Sequence, residues 1–239
     1  MLEIRRADHR GQANFGWLNS RHTFSFGSYY DPQQVGFSDL LVINDDRVSP
    51  GRGFETHGHR DMEIFSYVLD GGLQHRDSLG TGSVIRPGDV QVMSAGTGVM
   101  HSEFNASREE PVHFLQIWIV PDRKGVAPRY QQQHFAPEDM RGRMRLIISA
   151  DGADGSMSVY QDVRVFAGRF DRDERQVVTL PANRHAYVHV ARGSIEVNGE
   201  PLQEGDGARL RAVRELTFAS GRAAEVLLFD LRPIELPSH

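Results

Sequence analysis

Short apolar stretches recur along this chain between clusters of Gly, Pro, Asn and Asp, and few windows sustain the period of about 3.6 residues that marks an amphipathic helix. The pattern predicts a mostly β architecture. Candidate strands cover residues 40–43, 63–69, 90–93, 114–120 and 225–229, and many short strands at this spacing predict sandwiches or barrels. Asn198-Gly199 follows Ser194-Ile195-Glu196-Val197, and this pair readily takes the positive φ angles of a tight hairpin turn. A faint internal repeat relates Asp70-Gly71-Gly72, leading to Pro87-Gly88-Asp89, to Arg192-Gly193-Ser194, leading to Glu204-Gly205-Asp206. Each half is therefore expected to build the same unit. Between the halves, residues 121–142 are polar, carry Pro128, Gln131-Gln132-Gln133, Pro137 and Gly142, and read as a linker with one helical turn.

The 239 residues allow two ordinary domains, each able to bury a core. Boundaries are expected at 1–138, an N-terminal unit with its linker, and 139–239, a C-terminal unit. The 39% hydrophobic and 25% charged content is that of a soluble globular protein. The longest apolar run, residues 114–120, is far short of the roughly 20 residues of a membrane-spanning helix. Met1-Leu2-Glu3-Ile4-Arg5-Arg6 does not follow a secretory pattern, which makes a cytoplasmic location the expectation. A net charge of -5 with scattered basic residues argues against direct nucleic-acid binding, and the alternating Arg141, Arg143 and Arg145 read as a solvated strand face.

With no cysteine, disulfides, thiolate zinc sites, iron–sulfur clusters and cysteine nucleophiles are excluded together. Any metal must use imidazole and oxygen. His57-Gly58-His59 precedes an apolar run, and side chains two apart on an extended segment project to the same side. His101-Ser102-Glu103 repeats that offset after the Gly-rich bend Ser94-Ala95-Gly96-Thr97-Gly98 and adds a carboxylate. The two pairs facing each other would give three neutral imidazoles and one carboxylate, a set that leaves a divalent ion with residual charge and open positions. A lone histidine is more often a hydrogen-bonded core or surface residue. That reading is preferred for His9, His22, His75, His113, His134, His185, His189 and His239, which lack a partner at ligand spacing.

Gly51-x5-His57-x-His59-x3-Glu63 followed by Gly71 resembles the first cupin motif, and Gly98-x2-His101-x3-Asn105 resembles the end of the second. Two departures, seven residues between Glu63 and Gly71 and Gly96 in place of the usual proline, point to a subfamily. Gly16-Trp17-Leu18, His22-Thr23-Phe24-Ser25-Phe26, Tyr29-Tyr30-Asp31-Pro32 and the run from Met93 to Glu103 closely resemble the pirin family. The resemblance implies an all-β chain of two cupin, jelly-roll-like barrels in tandem, with metal in the N-terminal one on His57, His59, His101 and Glu103. Many cupins instead use the first-motif glutamate, here Glu63, and counting from His59 would also turn Glu63 inward; it is expected beside the ligands rather than among them. Counted through the repeat, the positions matching the ligands hold Thr179, Pro181, Phe218 and Ser220, so the second barrel is expected to be degenerate, with a structural or pocket-closing role.

Similar bacterial pirins act as quercetin 2,3-dioxygenases. The resemblance therefore implies a flavonol and O2 as substrates, carbon monoxide and a depside as products, and Glu103 as base as well as ligand. Iron(II) is the implied ion, although the same donors suit manganese, cobalt, nickel, copper and zinc. A competing expectation is a metal-dependent interaction module, because nuclear pirins of eukaryotes are transcriptional co-regulators; a bacterial relative would then bind another protein. An enzyme acting on some other small molecule is the third. A monomer is the expected state.

Overall fold

The computed structural model describes residues 2–235, and His239 lies outside them. Three antiparallel-rich sheets make up the chain. In the N-terminal half a seven-stranded sheet runs in the order Arg129–His134, Asp89–Ser94, Glu63–Asp70, Val112–Ile119, Leu40–Val48, Leu18–His22, Gly11–Asn14. The accompanying four-stranded sheet has the order Gly53–His59, Val99–Asn105, Leu73–Asp77, Gly82–Ile85. A nine-stranded sheet builds the C-terminal half around two long strands, His185–Val197 and Glu215–Leu231. Repeated register shifts along that pair bend the sheet on itself. The halves are the two all-β cupin barrels expected. Among the described residues, no helix is long and apolar enough to cross a membrane.

Alternation explains why the central strands read as continuous apolar runs. In Glu63–Asp70, Phe65, Tyr67 and Leu69 enter a core shared with Tyr187, Leu227 and Phe229 of the other half. Val68 packs in a second cluster with Leu73 and Phe114, Ile64 packs with Met93, and the Ser66 hydroxyl reaches Glu103. Both faces are thus buried, one inside the barrel and one against its neighbour. Tyr67 also donates a buried hydrogen bond to Glu225 across the halves. Asn198 and Gly199 take φ of 52° and 81°, and Val197 pairs with Glu200, as the hairpin reading requires.

Three features depart from the sequence reading. Residues 121–142 do contain one helical turn, Pro137–Met140, but also the strand Arg129–His134, paired with Asp89–Ser94. Its glutamines hide it because an edge strand needs no apolar face; Gln131 and Gln133 instead donate to backbone carbonyls of Ser158 and Gly155. Leu2–Arg5 leaves the N-terminal half and pairs with Gly207–Arg211 of the C-terminal sheet. Arg141 and Arg143 are exposed and paired with Glu174 and Asp139, but they precede the strand Met144–Ser149; of the three arginines only Arg145 lies on it, donating to the Asp154 carbonyl, so they do not form one strand face.

Candidate metal centre and cavity

The strands that carry the two pairs, Gly53–His59 and Val99–Asn105, lie side by side with His57 directly opposite His101. A bulge between His101 and Glu103 shifts the register at that point. The rings of His57, His59 and His101 stand 4.5 to 4.8 Å apart between centroids. The His57 Nε2 and His101 Nε2 atoms are 3.0 Å apart, and Glu103 Oε2 is 4.0 Å from His101 Nε2. Donors about 2.1 Å from one ion stand about 3–4.2 Å from one another, so the three imidazoles are spaced for a common ion, whereas Glu103 meets the cluster through His101 and groups there with His75.

Protonation supports the same chemistry. His57 Nδ1 donates to the Glu55 carbonyl at 2.8 Å, leaving its Nε2 lone pair toward the cluster. His59 Nε2 is buried without a hydrogen-bond partner among the described residues, a cost that an ion would remove. Burial, with the charge of the neighbouring histidines, lowers His59 to about 4 and His101 to about 2, so both imidazoles are neutral at ordinary pH, the form in which an imidazole can ligate. Glu103 is pushed up to about 7 by burial first and by the Asp46 carboxylate second. Opposing that shift, the Ser66 hydroxyl and the Gln116 amide, the latter at 2.9 Å, donate to its two oxygens.

Glu63 is not brought to this cluster, contrary to expectation. Its carboxylate accepts from Ser94 Oγ at 2.8 Å, with Arg129 nearby, on the opposite face from Ser66. Asp61, at φ 48°, turns the chain between the two strands, so counting by twos from His59 fails there. His75, read as a solitary histidine, is fully buried opposite Glu103 with its ring 5.3 Å from that of His101. It donates from Nε2 to Asp77 at 2.8 Å, and Tyr130 packs over it. His75-x-Asp77 has the same two-residue offset as the ligand pairs, which was the available signal. His113 and His134 pair with Asp45 and Asp89, and His185 stacks on Phe37, as lone histidines should.

A cavity of about 350 Å³ opens on His57 and His59. Its walls are mainly apolar and include the aromatic side chains of Phe15, Phe26, Phe54 and Trp118, with His22, Asn44, Asp46 and Gln116 supplying polar groups. Trp118 meets the His59 ring edge-on at 5.0 Å. The volume lies within the about 300–1,000 Å³ of small-molecule sites. His22, left aside on sequence, therefore lines the cavity, donating from Nδ1 to Asn44 Oδ1 at 2.8 Å. In the second barrel Phe218 is completely buried among Leu216, Val226 and Leu228 in the matching interior.

A pirin family model matches residues 3–119, and one for the quercetinase C-terminal cupin domain matches residues 146–231. An Escherichia coli K12 protein named quercetin 2,3-dioxygenase is 44% identical, covering 98% of this chain and 100% of that protein. The crystal structure of the bacterial pirin YhhW from E. coli in complex with nickel(II) superposes with a TM-score of 0.93 at 44% identity, over 98% of this chain and 100% of that one. YhaK from E. coli is more distant, with a TM-score of 0.73 at 31% identity, over 93% and 98% of the two chains. With matching models in both halves and relatives alike from end to end, this chain belongs to the pirin family.

Proposed function

We propose that the chain is a metal-dependent dioxygenase of the quercetin 2,3-dioxygenase type, with His57, His59, His101 and Glu103 holding one divalent ion. The carrying observation is the aromatic-walled cavity that ends on His57 and His59, of a size for a three-ring flavonol. Full-length similarity to the E. coli protein of that name supports the same reading. A surface module would need no such chamber. The ion would be a divalent transition metal, and the nickel(II) held by YhhW joins iron(II) as a first candidate.

In this reading the flavonol enters between the aromatic walls with its 3-hydroxyl toward the ligand cluster. Glu103 takes the hydroxyl proton, a step in which general-base assistance is worth about 10²–10⁴-fold. Gln116 and Ser66, donating to its two oxygens, keep the carboxylate oriented for that transfer. A divalent ion there supplies Lewis-acid stabilisation of the deprotonated flavonol. The aromatic walls exclude water. The overall change consumes one flavonol and one O2 and yields one depside and one carbon monoxide.

The test is anaerobic loading with iron(II), manganese(II), cobalt(II), nickel(II), copper(II) or zinc(II), then quercetin and air, following flavonol absorbance, oxygen uptake and carbon monoxide. Metal-dependent turnover with carbon monoxide release is expected. Absence of turnover with every loaded ion would return the interaction module to first place.

The pH dependence of loading follows from the site. A carboxyl protonated below about 7 must lose its proton before it ligates, so ion affinity is expected to fall about tenfold per pH unit below that point. His59 and His101, already neutral there, add nothing to this slope. Calorimetric titrations in buffers of different ionisation heat would show the released proton. Affinity that stays flat from about pH 5 to pH 8 would remove Glu103 from the ligand set.

A further inference from the structure

Besides His59 Nε2, two polar atoms of residues on the cavity wall are buried and have no hydrogen-bond partner among the described residues. One is an acceptor, Asp46 Oδ1; the other is a donor, Trp118 Nε1. Both residues line the chamber that ends on His57 and His59. Asp46 is 2% exposed on the strand Leu40–Val48, which faces the barrel interior at this point, and its carboxylate also receives a hydrogen bond from Ser20. An unpaired buried acceptor and an unpaired buried donor are costly to leave unmade, and facing one chamber they would both be satisfied by a ligand that carries a donor and an acceptor.

We infer that Asp46 and Trp118 are specificity-determining residues that select an oxygenated aromatic ligand carrying a second hydroxyl besides the one that meets the ion. This rests on the dioxygenase reading for the identity of the ligand class. The hydroxyl donates to Asp46 Oδ1, and a carbonyl or ether oxygen of the same ligand accepts from Trp118 Nε1–H. Each pairing removes one unsatisfied group, and the aromatic walls take the rings. An analogue without the second hydroxyl leaves Asp46 buried and unpaired, and sites built to pair a hydroxyl reject such analogues strongly. Asp46 is distinct from the base: Glu103 meets the reacting hydroxyl, whereas Asp46 acts on one that does not react.

The experiment is calorimetric titration of the nickel-loaded chain under nitrogen with quercetin and with 3-hydroxyflavone, which lacks every hydroxyl but the reacting one. The unchanged protein is expected to bind quercetin at least about tenfold more tightly. Asp46→Leu, which retains much of the side-chain volume, and Asp46→Ala both remove the acceptor and are expected to bring the ratio within about twofold. Trp118→Phe is expected to weaken both ligands together, because both carry the carbonyl, and it stands as a separate arm should the Asp46 variants unfold. A ratio that survives in a folded Asp46 variant, or selective loss of quercetin alone in Trp118→Phe, would overturn the inference. Discriminating binding by the nickel-loaded chain, with no turnover in air by any of the loaded ions, would refute the dioxygenase reading and leave the selection of the second hydroxyl intact; binding of neither flavonol would remove both.

Discussion

Replacing His101 with alanine is expected to weaken ion binding by more than about 100-fold while the β-sheet circular dichroism stays as it was. His101 stands at the centre of the cluster, 3.0 Å from His57 Nε2 and 4.0 Å from Glu103 Oε2, so its loss breaks the set in two. The fold does not depend on it. The shared core that joins the halves, with Phe65, Tyr187 and Phe229, is apolar and contains none of the candidate ligands. Elemental analysis after dialysis, with thermal unfolding alongside, reads both quantities. Full ion content in the variant would show that the ion sits elsewhere.

Gly53→Val attacks the same site through the backbone. A Cβ at Gly53 would stand 2.3 Å from the Glu103 carbonyl oxygen and 2.5 Å from the Phe104 Cα, atoms that cannot turn aside as a side chain can. Relief requires that Gly53–His59 and Val99–Asn105 part beside the bulge. The expected cost is about 3 kcal/mol, which for a chain of this length lowers the thermal midpoint by about 6–12 °C. Ion affinity is expected to fall as well, since each parting strand carries two of the four candidate ligands. A variant that melts within about 2 °C of the parent would mean that the strands yield there at little cost.

The amount that could be read in the sequence depended on whether a feature was local. Strands beginning near residues 40, 63, 90 and 114 stand where apolar runs announced them. Glu215–Leu231 was visible only over residues 225–229, because Ser220 and Ala223, at φ 55° and 46°, break the alternation before it. The His57/His59 and His101/Glu103 pairs were visible because a two-residue offset and a shared face are properties of one strand. Glu63 was misplaced for a related reason: its position relative to His59 is decided by the turn at Asp61, not by counting. His75, His22 and the wall around Asp46 depend on which strands become neighbours. No single stretch of chain encodes that.

The crossing of Leu2–Arg5 into the other half bears on how the molecule is made. Leu2 pairs with Leu210, so a strand made before the whole N-terminal barrel has its place in a sheet whose other members are synthesised after that barrel. Contacts so distant along the chain form slowly, because the intervening loop must close before the pairing is rewarded. Until then Gly207–Arg211 presents an open edge to any strand nearby, including one from a second nascent chain. The opening residues thus act as a late-closing seal on the C-terminal barrel, and a bulky fusion placed directly before them would delay the seal and favour aggregation during synthesis.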